Sequence, residues 1–348
     1  MRDSAKPLKS ATALDPKYYI NSDTYHHEVN KMIPKGWQIV APAQSVGGSG
    51  DVIARTLGDI PIIIVRSPSG ALNGFYNICP HRAGPLAMCD KRGAKRLRCA
   101  YHGWAYDFDG QLKSAPEMNE AEDFDASAIQ LTPINVKEWH GMIFAKAGDG
   151  LEFDTVIAEI DQIVGAQIDD MVYHSSIAYD VNANWKVYID NYLEGYHLPF
   201  VHPSLTQAVD YSVYITELGK YWSLQRAPVD DETGAYESGE ALYFFIYPNT
   251  MLNIMPGRLQ TNRVVPTGIN RCTVEFDFYY SPGVERRAPA DIEFSEQVQE
   301  EDRLICEHVQ KGLASGVYSP GRLSPARESG VWHWQNLLRA DYLNADLL

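Results

Sequence analysis

Four residues in the first half of the chain have the types and spacing to do metal chemistry. Cys79-Pro80-His81-Arg82 and Cys99-Ala100-Tyr101-His102-Gly103-Trp104 each offer one thiol and one imidazole, with 17 residues between His81 and Cys99. Thiolates and imidazoles suit soft and borderline metals. Two thiolates can hold one ferric iron while two imidazoles hold the other, giving a [2Fe–2S] cluster of raised potential. Zinc is the competing reading. Cys₂His₂ zinc sites, however, usually keep their cysteines together and their histidines together, and here the order is Cys-x-His then Cys-x₂-His. Cys89 lies between the motifs with no paired histidine at ligand spacing, and reads as a structural cysteine.

A second set follows. Asp190, Glu194 and His197 stand at i, i+4 and i+7, so a helix would place them on one face. Alone, such a pattern is an ordinary solvated helix face. His202 changes that reading. On a continuous helix His197 and His202 would diverge by about 140°. Pro199 interrupts the helix between them, and Gly195 eases the distortion, so the chain can bend His202 back beside His197. A 2-His-1-carboxylate triad then needs one oxygen ligand and leaves positions open for O₂ and substrate. Asp302 is the candidate. In a helix Phe294–Leu313 the apolar stripe runs Phe294, Val298, Ile305, Val309, Leu313, and Asp302 falls within it. A carboxylate turned toward a core needs a partner, either a metal or a buried arginine. Glu301 lies further off the stripe and is next in line.

The elements that would position these residues fall into two groups. β-Branched segments at Ile39-Val40, Val52-Ile53 and Ile60–Val65, then Leu72–Ile78, point to a small all-β domain over 35–148. The remainder, 1–34 and 149–348, mixes helices and strands: helices near Thr24–Ile33, Asp154–Val164 and Asn184–His197, strands near Ser176–Val181, Tyr243–Tyr247, Met251–Met255 and Cys272–Tyr280, and a last helix Ile292–Leu313. The length of 348 residues fits two domains. The formal charge of −15 argues against nucleic acid as a partner, because phosphate backbones are bound by basic surfaces. No apolar run is long enough to span a membrane, and the first residues lack the apolar core of a secretory signal. The expected compartment is the cytoplasm, where five cysteines in no framework spacing are metal ligands or buried residues rather than disulfides.

The two Cys/His motifs resemble the signatures of the Rieske domain in α subunits of Rieske non-haem iron oxygenases. The stretch Asn184-Trp185-Lys186 through His197 and His202 is similar to the iron-binding segment of the same enzymes, and Glu301-Asp302 to the region of their third ligand. The resemblance implies an α+β fold in which an all-β Rieske domain is inserted in a helix-grip catalytic domain with an antiparallel sheet. It implies a [2Fe–2S] cluster on Cys79, His81, Cys99 and His102, a mononuclear Fe(II) on His197, His202 and Asp302, and a head-to-tail homotrimer. It also implies electrons from NAD(P)H through a separate reductase, sometimes with a ferredoxin. A bare Rieske electron carrier is the alternative of a different class, but it would not need the second site. Many members place an Asp three residues before the first iron-binding histidine. Here that residue is Glu194, which resembles the choline, betaine and carnitine monooxygenases and suggests a quaternary ammonium or N-methyl substrate. An aromatic compound is the alternative. Asn191 matches an Asn near the iron in several members. Tyr211, Tyr214, Tyr221, Trp222, Phe244, Phe245 and Tyr247 are candidates for an aromatic pocket wall, though ordinary strand and core positions are the favoured reading for most of them.

Overall fold

The structure is a computed structural model, and it describes residues 6–204, 213–229 and 239–347. The chain forms two compact units, Ile33–Phe153 and the combination of Met1–Met32 with Asp154–Leu348.

The first unit is all-β. Strands β1 (Gln38–Pro42), β2 (Val52–Leu57), β3 (Ile60–Arg66), β4 (Leu72–Tyr76), β8 (Pro133–Trp139) and β9 (Met142–Lys146) make one antiparallel sheet in the order β1-β9-β8-β4-β3-β2. Three short strands, β5 (Leu97–Arg98), β6 (Ala105–Tyr106) and β7 (Leu112–Ser114), make a second. The β-branched run of β3 explains how both sheets share a core. Successive side chains of a strand point to opposite faces. Ile63 and Val65 therefore join the core around Cys79 and Cys99, while Ile62 and Ile64 pack with Ile53 and Ile143 on the other face.

The second unit holds a seven-stranded antiparallel sheet in the order β10-β16-β15-β14-β13-β12-β11. Its strands are β10 (Val172–Val181), β11 (Ile215–Leu218), β12 (Trp222–Val229), β13 (Gly239–Ile246), β14 (Thr250–Met255), β15 (Arg258–Gly268) and β16 (Arg271–Tyr280). The helices include Phe153–Ile168, Trp185–Tyr192, Leu198–Val201, Ala288–Ala314 and Ser329–Asn344. An all-β unit and an α+β unit with an antiparallel sheet are the fold class that the resemblance implies. No helix among the described residues is long and apolar enough to cross a membrane.

Two expectations need correction, and strand β15 is not among the strands expected. The helix Ile292–Leu313 is not the last regular element, because Ser329–Asn344 follows and buries Val331, Trp334, Leu338 and Tyr342, an i, i+3, i+7, i+11 stripe. Strand β15 escapes a hydrophobic-pattern reading because it buries Thr261, Asn262 and Arg263. The Arg263 guanidinium is held by Glu275 of β16 at 2.7 Å. Cys89 is exposed rather than structural.

One buried polar cluster anchors the N-terminal segment to the second unit. Glu28, fully buried, accepts from Lys186 Nζ at 2.7 and 2.8 Å and from the Trp185 indole at 2.8 Å. The Tyr342 hydroxyl donates to the same carboxylate.

Candidate metal centres

The first centre is built by two tight loops. Ala83 N–H donates to the Cys79 carbonyl and Gly103 N–H to the Cys99 carbonyl, and Ala100 N–H ties the second loop to Pro85 of the first. The loops meet at Gly84, where a Cβ would lie 2.8 Å from the Cys99 sulfur and 2.8 Å from Tyr101 Cβ. Only glycine leaves the thiol that space. Cys79 and Cys99 are buried, and the Tyr106 hydroxyl lies 3.1 Å from Cys79 Sγ. Burial pushes the Cys79 thiol up, so a thiolate there needs a cation beside it. The His81 ring stacks on Trp104 at 4.5 Å and lies 4.6 Å from the His102 ring. Both Nδ1 atoms are buried without a hydrogen-bond partner among the described residues. Buried, unpaired ring nitrogens are costly, and metal ligation satisfies them. A [2Fe–2S] cluster fits this donor set: two sheltered thiols and two orphaned nitrogens on paired loops.

The second centre lies in the other unit. His197, His202 and Asp302 form the only group among the described residues in which three such donors could share one ion, with ligand atoms within 4.8 Å of one another. Asp302 Oδ1 lies 2.9 Å from His202 Nε2 and 3.8 Å from His197 Nε2. The outer nitrogens are both engaged. His197 Nδ1 lies 2.8 Å from Glu194 Oε1, and His202 Nδ1 lies 2.7 Å from Glu301 Oε2. Carboxylates in that position fix a ligand's tautomer and raise its basicity. Asn191 Nδ2 donates to Asp302 Oδ1 at 2.6 Å. Burial disfavours a charged His202 ring, but Asp302 and Glu301 outweigh it and raise its pKa. The pocket therefore attracts positive charge, which a ferrous ion would supply. Two histidines and one carboxylate facing a cavity suit such an ion.

The local route to this geometry differs from the one the sequence suggests. The first helix stops at Tyr192, so Glu194 does not reach His197 along a helical face. Glu194 instead sits in the turn and also accepts from the backbone N–H groups of Tyr196 and His197. Pro199 does not break a helix. It lies in the first turn of the short helix Leu198–Val201, where a missing N–H is harmless. His197 and His202 cap that helix, and their rings end 5.1 Å apart. Gly195 matters for room, since a Cβ there would meet the Tyr214 ring at 2.9 Å. Asp190 stays on the helix but faces Tyr19 and Gln335, which donate to it at 2.5 and 2.9 Å.

The apolar stripe of the late helix is also rotated from expectation. Ile305 and Val309 are exposed at 36% and 46%, whereas Gln299, Asp302, Cys306, Gln310 and Leu313 are buried. Asp302 is buried because a polar face, not an apolar one, packs on the site. Glu301 is not a donor of the triad but the acceptor behind His202. Adjacent helix residues diverge by about 100°, so a Glu-Asp pair can serve the outer and inner sides of one histidine.

A cavity opens beside the three donors, as small-molecule sites do beside convergent polar groups. Of the aromatic candidates among the described residues only Tyr214 lines it; Tyr188, Tyr192 and Tyr243, not anticipated, join it. Phe244 and Phe245 are core, Trp222 is buried and donates to Glu159, and Tyr247 donates to Asp341. Tyr221 does not line the cavity, and Tyr211 lies outside the described residues. Asn191, Glu194 and His197 also line a second recess, so they form a wall between two cavities.

The chain matches known proteins across both units. Residues 36–132 match the Rieske [2Fe-2S] domain, and residues 168–343 match the ring hydroxylating alpha subunit (catalytic domain). The chain is 31% identical to the chloroplastic choline monooxygenase of Arabidopsis thaliana, over 97% of this chain and 84% of the relative. It is 28% identical to the carnitine monooxygenase oxygenase subunit of Escherichia coli (strain K12), over 95% and 94%. A solved quaternary ammonium Rieske monooxygenase, studied for carnitine oxidation by gut microbiota, superposes with a TM-score of 0.89 at 25% identity, covering 98% of each chain. With an electron-transfer domain and an oxygen-activating domain matched on one polypeptide, the chain belongs to the Rieske non-haem iron oxygenases, as an α subunit that carries a [2Fe–2S] cluster and a mononuclear iron and works with a reductase.

Proposed function

We propose that this subunit oxygenates a small quaternary ammonium or N-methyl compound. The observation that carries the reading is the cavity itself, which four tyrosines line together with His197, His202 and Asp302. A quaternary ammonium has no proton to donate and is recognised by ring faces. The hydroxyls of two of these tyrosines are tied back, Tyr188 to Gln299 at 2.5 Å and Tyr192 to Asn253 at 2.7 Å. That leaves their rings as the available surface. Relatives named for choline and carnitine support the same class.

Cys79, Cys99, His81 and His102 would hold the cluster, and His197, His202 and Asp302 the iron, within domains of 35–148 and of 1–34 with 149–348. When bound, the cluster relays electrons and the iron activates O₂. The chain's own residues do the rest. Glu194 and Glu301 hold the imidazole tautomers, Asn191 orients Asp302, and the tyrosines place an N-linked carbon toward the open side of the triad. Overall, a C–H bond breaks and a C–O bond forms. One O₂, two electrons from the reductase and two protons leave one oxygen in the product and one in water. A hydroxyl on an N-methyl carbon then collapses with loss of formaldehyde.

The assembly that suits this chemistry is a homotrimer, with a ferredoxin between reductase and oxygenase as an option. Five free cysteines suit a reducing compartment such as the cytoplasm. The test is turnover of the purified protein with a competent reductase on trimethylammonium compounds and on neutral aromatics. Substrate-dependent O₂ uptake and product from the first class only is the expected result; turnover of aromatics alone would overturn the reading.

A further inference from the structure

We infer that the substrate carries a neutral tail: the cavity is built for a cation whose other end bears no carboxylate. This rests on the quaternary ammonium reading above and adds what that reading leaves open, since its class includes both alcohols and zwitterions.

The observation is the charge of the lining. Glu194 and Asp302 bring two carboxylates to the cavity, and no lysine or arginine among the described residues lines it. Residues 205–212 and 230–238, which lie outside the described residues, contain no lysine or arginine. Arg258 lines an adjoining recess that shares Asn253 and Gln299 with the cavity, and there Asp291 takes its charge. The two carboxylates would balance a ferrous ion held on the triad, so an anionic tail entering this space would be desolvated with no uncompensated cation to pair with.

The cavity does hold groups that suit a hydroxyl or other neutral polar tail. Gln225, Asn253, Asn262 and Gln299 line it. Their carbonyl oxygens accept from Tyr214 at 3.3 Å, Tyr192 at 2.7 Å, Gln260 at 3.3 Å and Tyr188 at 2.5 Å. The amide N–H groups of Asn253, Asn262 and Gln299 make no hydrogen bond within the described residues and remain to donate to a ligand oxygen. An amide donor satisfies a hydroxyl or ester oxygen fully, but it does not neutralise a carboxylate.

The test is equilibrium binding, by calorimetry, to the iron-loaded holoenzyme under argon. Four probes of similar size are compared: choline, glycine betaine, betaine methyl ester and 3,3-dimethylbutan-1-ol. Choline is expected to bind and glycine betaine to bind at least about tenfold more weakly, a factor worth about 1.4 kcal/mol. The methyl ester, which removes the charge and keeps the chain, should recover binding. Betaine binding as tightly as choline would overturn the inference while leaving the ammonium reading intact. An ester that stays as weak as betaine would also overturn it, since size rather than charge would then discriminate. If the uncharged dimethylbutanol matched choline, the ammonium reading itself would fall, and it would fall too if none of the four probes saturated the protein.

Discussion

Glu194 Oε1 lies 2.8 Å from His197 Nδ1, while the same carboxylate accepts the backbone N–H of His197 at 3.1 Å. The residue is thus fixed by the turn it closes and stands in the wall between two cavities. One is the candidate substrate cavity. In the homotrimer proposed above, a neighbouring copy's His102 reaching the other side of this carboxylate would link the two metal centres. Glu194→Gln should leave both metals bound and the cluster reducible, and should slow electron passage from cluster to iron by orders of magnitude. Stopped-flow oxidation of the reduced cluster, with substrate and O₂, reads this directly. A wild-type rate would remove Glu194 from the electron path.

Asp302→Ala should strip the mononuclear iron and keep the cluster, lowering iron from about three to about two per chain and abolishing product. Asn191→Ala removes only the donor on Asp302 Oδ1, so the expected loss of iron affinity is about 10- to 100-fold. Iron analysis with the cluster EPR signal as internal standard separates the two variants. Full iron content in Asp302→Ala would reassign the ligand.

Gly84→Ala places a methyl group 2.8 Å from the Cys99 sulfur. The obstacle is a proposed ligand atom and cannot swing away. The variant should purify with markedly less visible absorption, while the triad in the other unit still binds iron. Unchanged cluster content would mean that the two loops can part without harm.

The Lys186–Glu28 pair is fully buried at 2.7 Å. Lys186→Met strands the Glu28 carboxylate, and the expected loss of stability is about 3–5 kcal/mol. Pairing it with Glu28→Gln should restore much of that loss. Chemical denaturation of the four proteins forms the cycle. Additive losses would show that the two residues do not act as a pair.

Burial pushes the Asp190 carboxyl up to about 7, against the lowering effect of hydrogen bonds from Tyr19 and Gln335. Its pKa is raised in the folded state, so the fold holds this proton more tightly than the unfolded chain does. The resulting stability is fully present below the ordinary carboxylate range and is lost as pH rises through about 7. Asp190→Asn should therefore flatten the decline in stability across that window. Thermal melts at pH 5 and pH 8 would show a variant gaining on the wild type at the higher pH. An equal offset at both values would deny the shift.

The sequence by itself determined the chemistry of this protein. Metal-ligand motifs are local: Cys79 and His81, or Cys99 and His102, lie within one turn of chain, and their types alone name the metals they suit. The β-branched run Ile60–Val65 was equally legible, because alternation along a strand needs no distant partner. Tertiary structure alone decided what depends on residues far apart. Asn191 meets Asp302 across 111 positions, and Glu301 meets His202 across 99. The late helix turned its polar face inward because the triad and its hydrogen-bonding neighbours lie there, and a stripe of apolar residues cannot announce a polar core. The same holds for the cavity. Tyr188 and Tyr192 come from the helix before the first ligand and Tyr243 from strand β13, and only packing brings them to line one cavity.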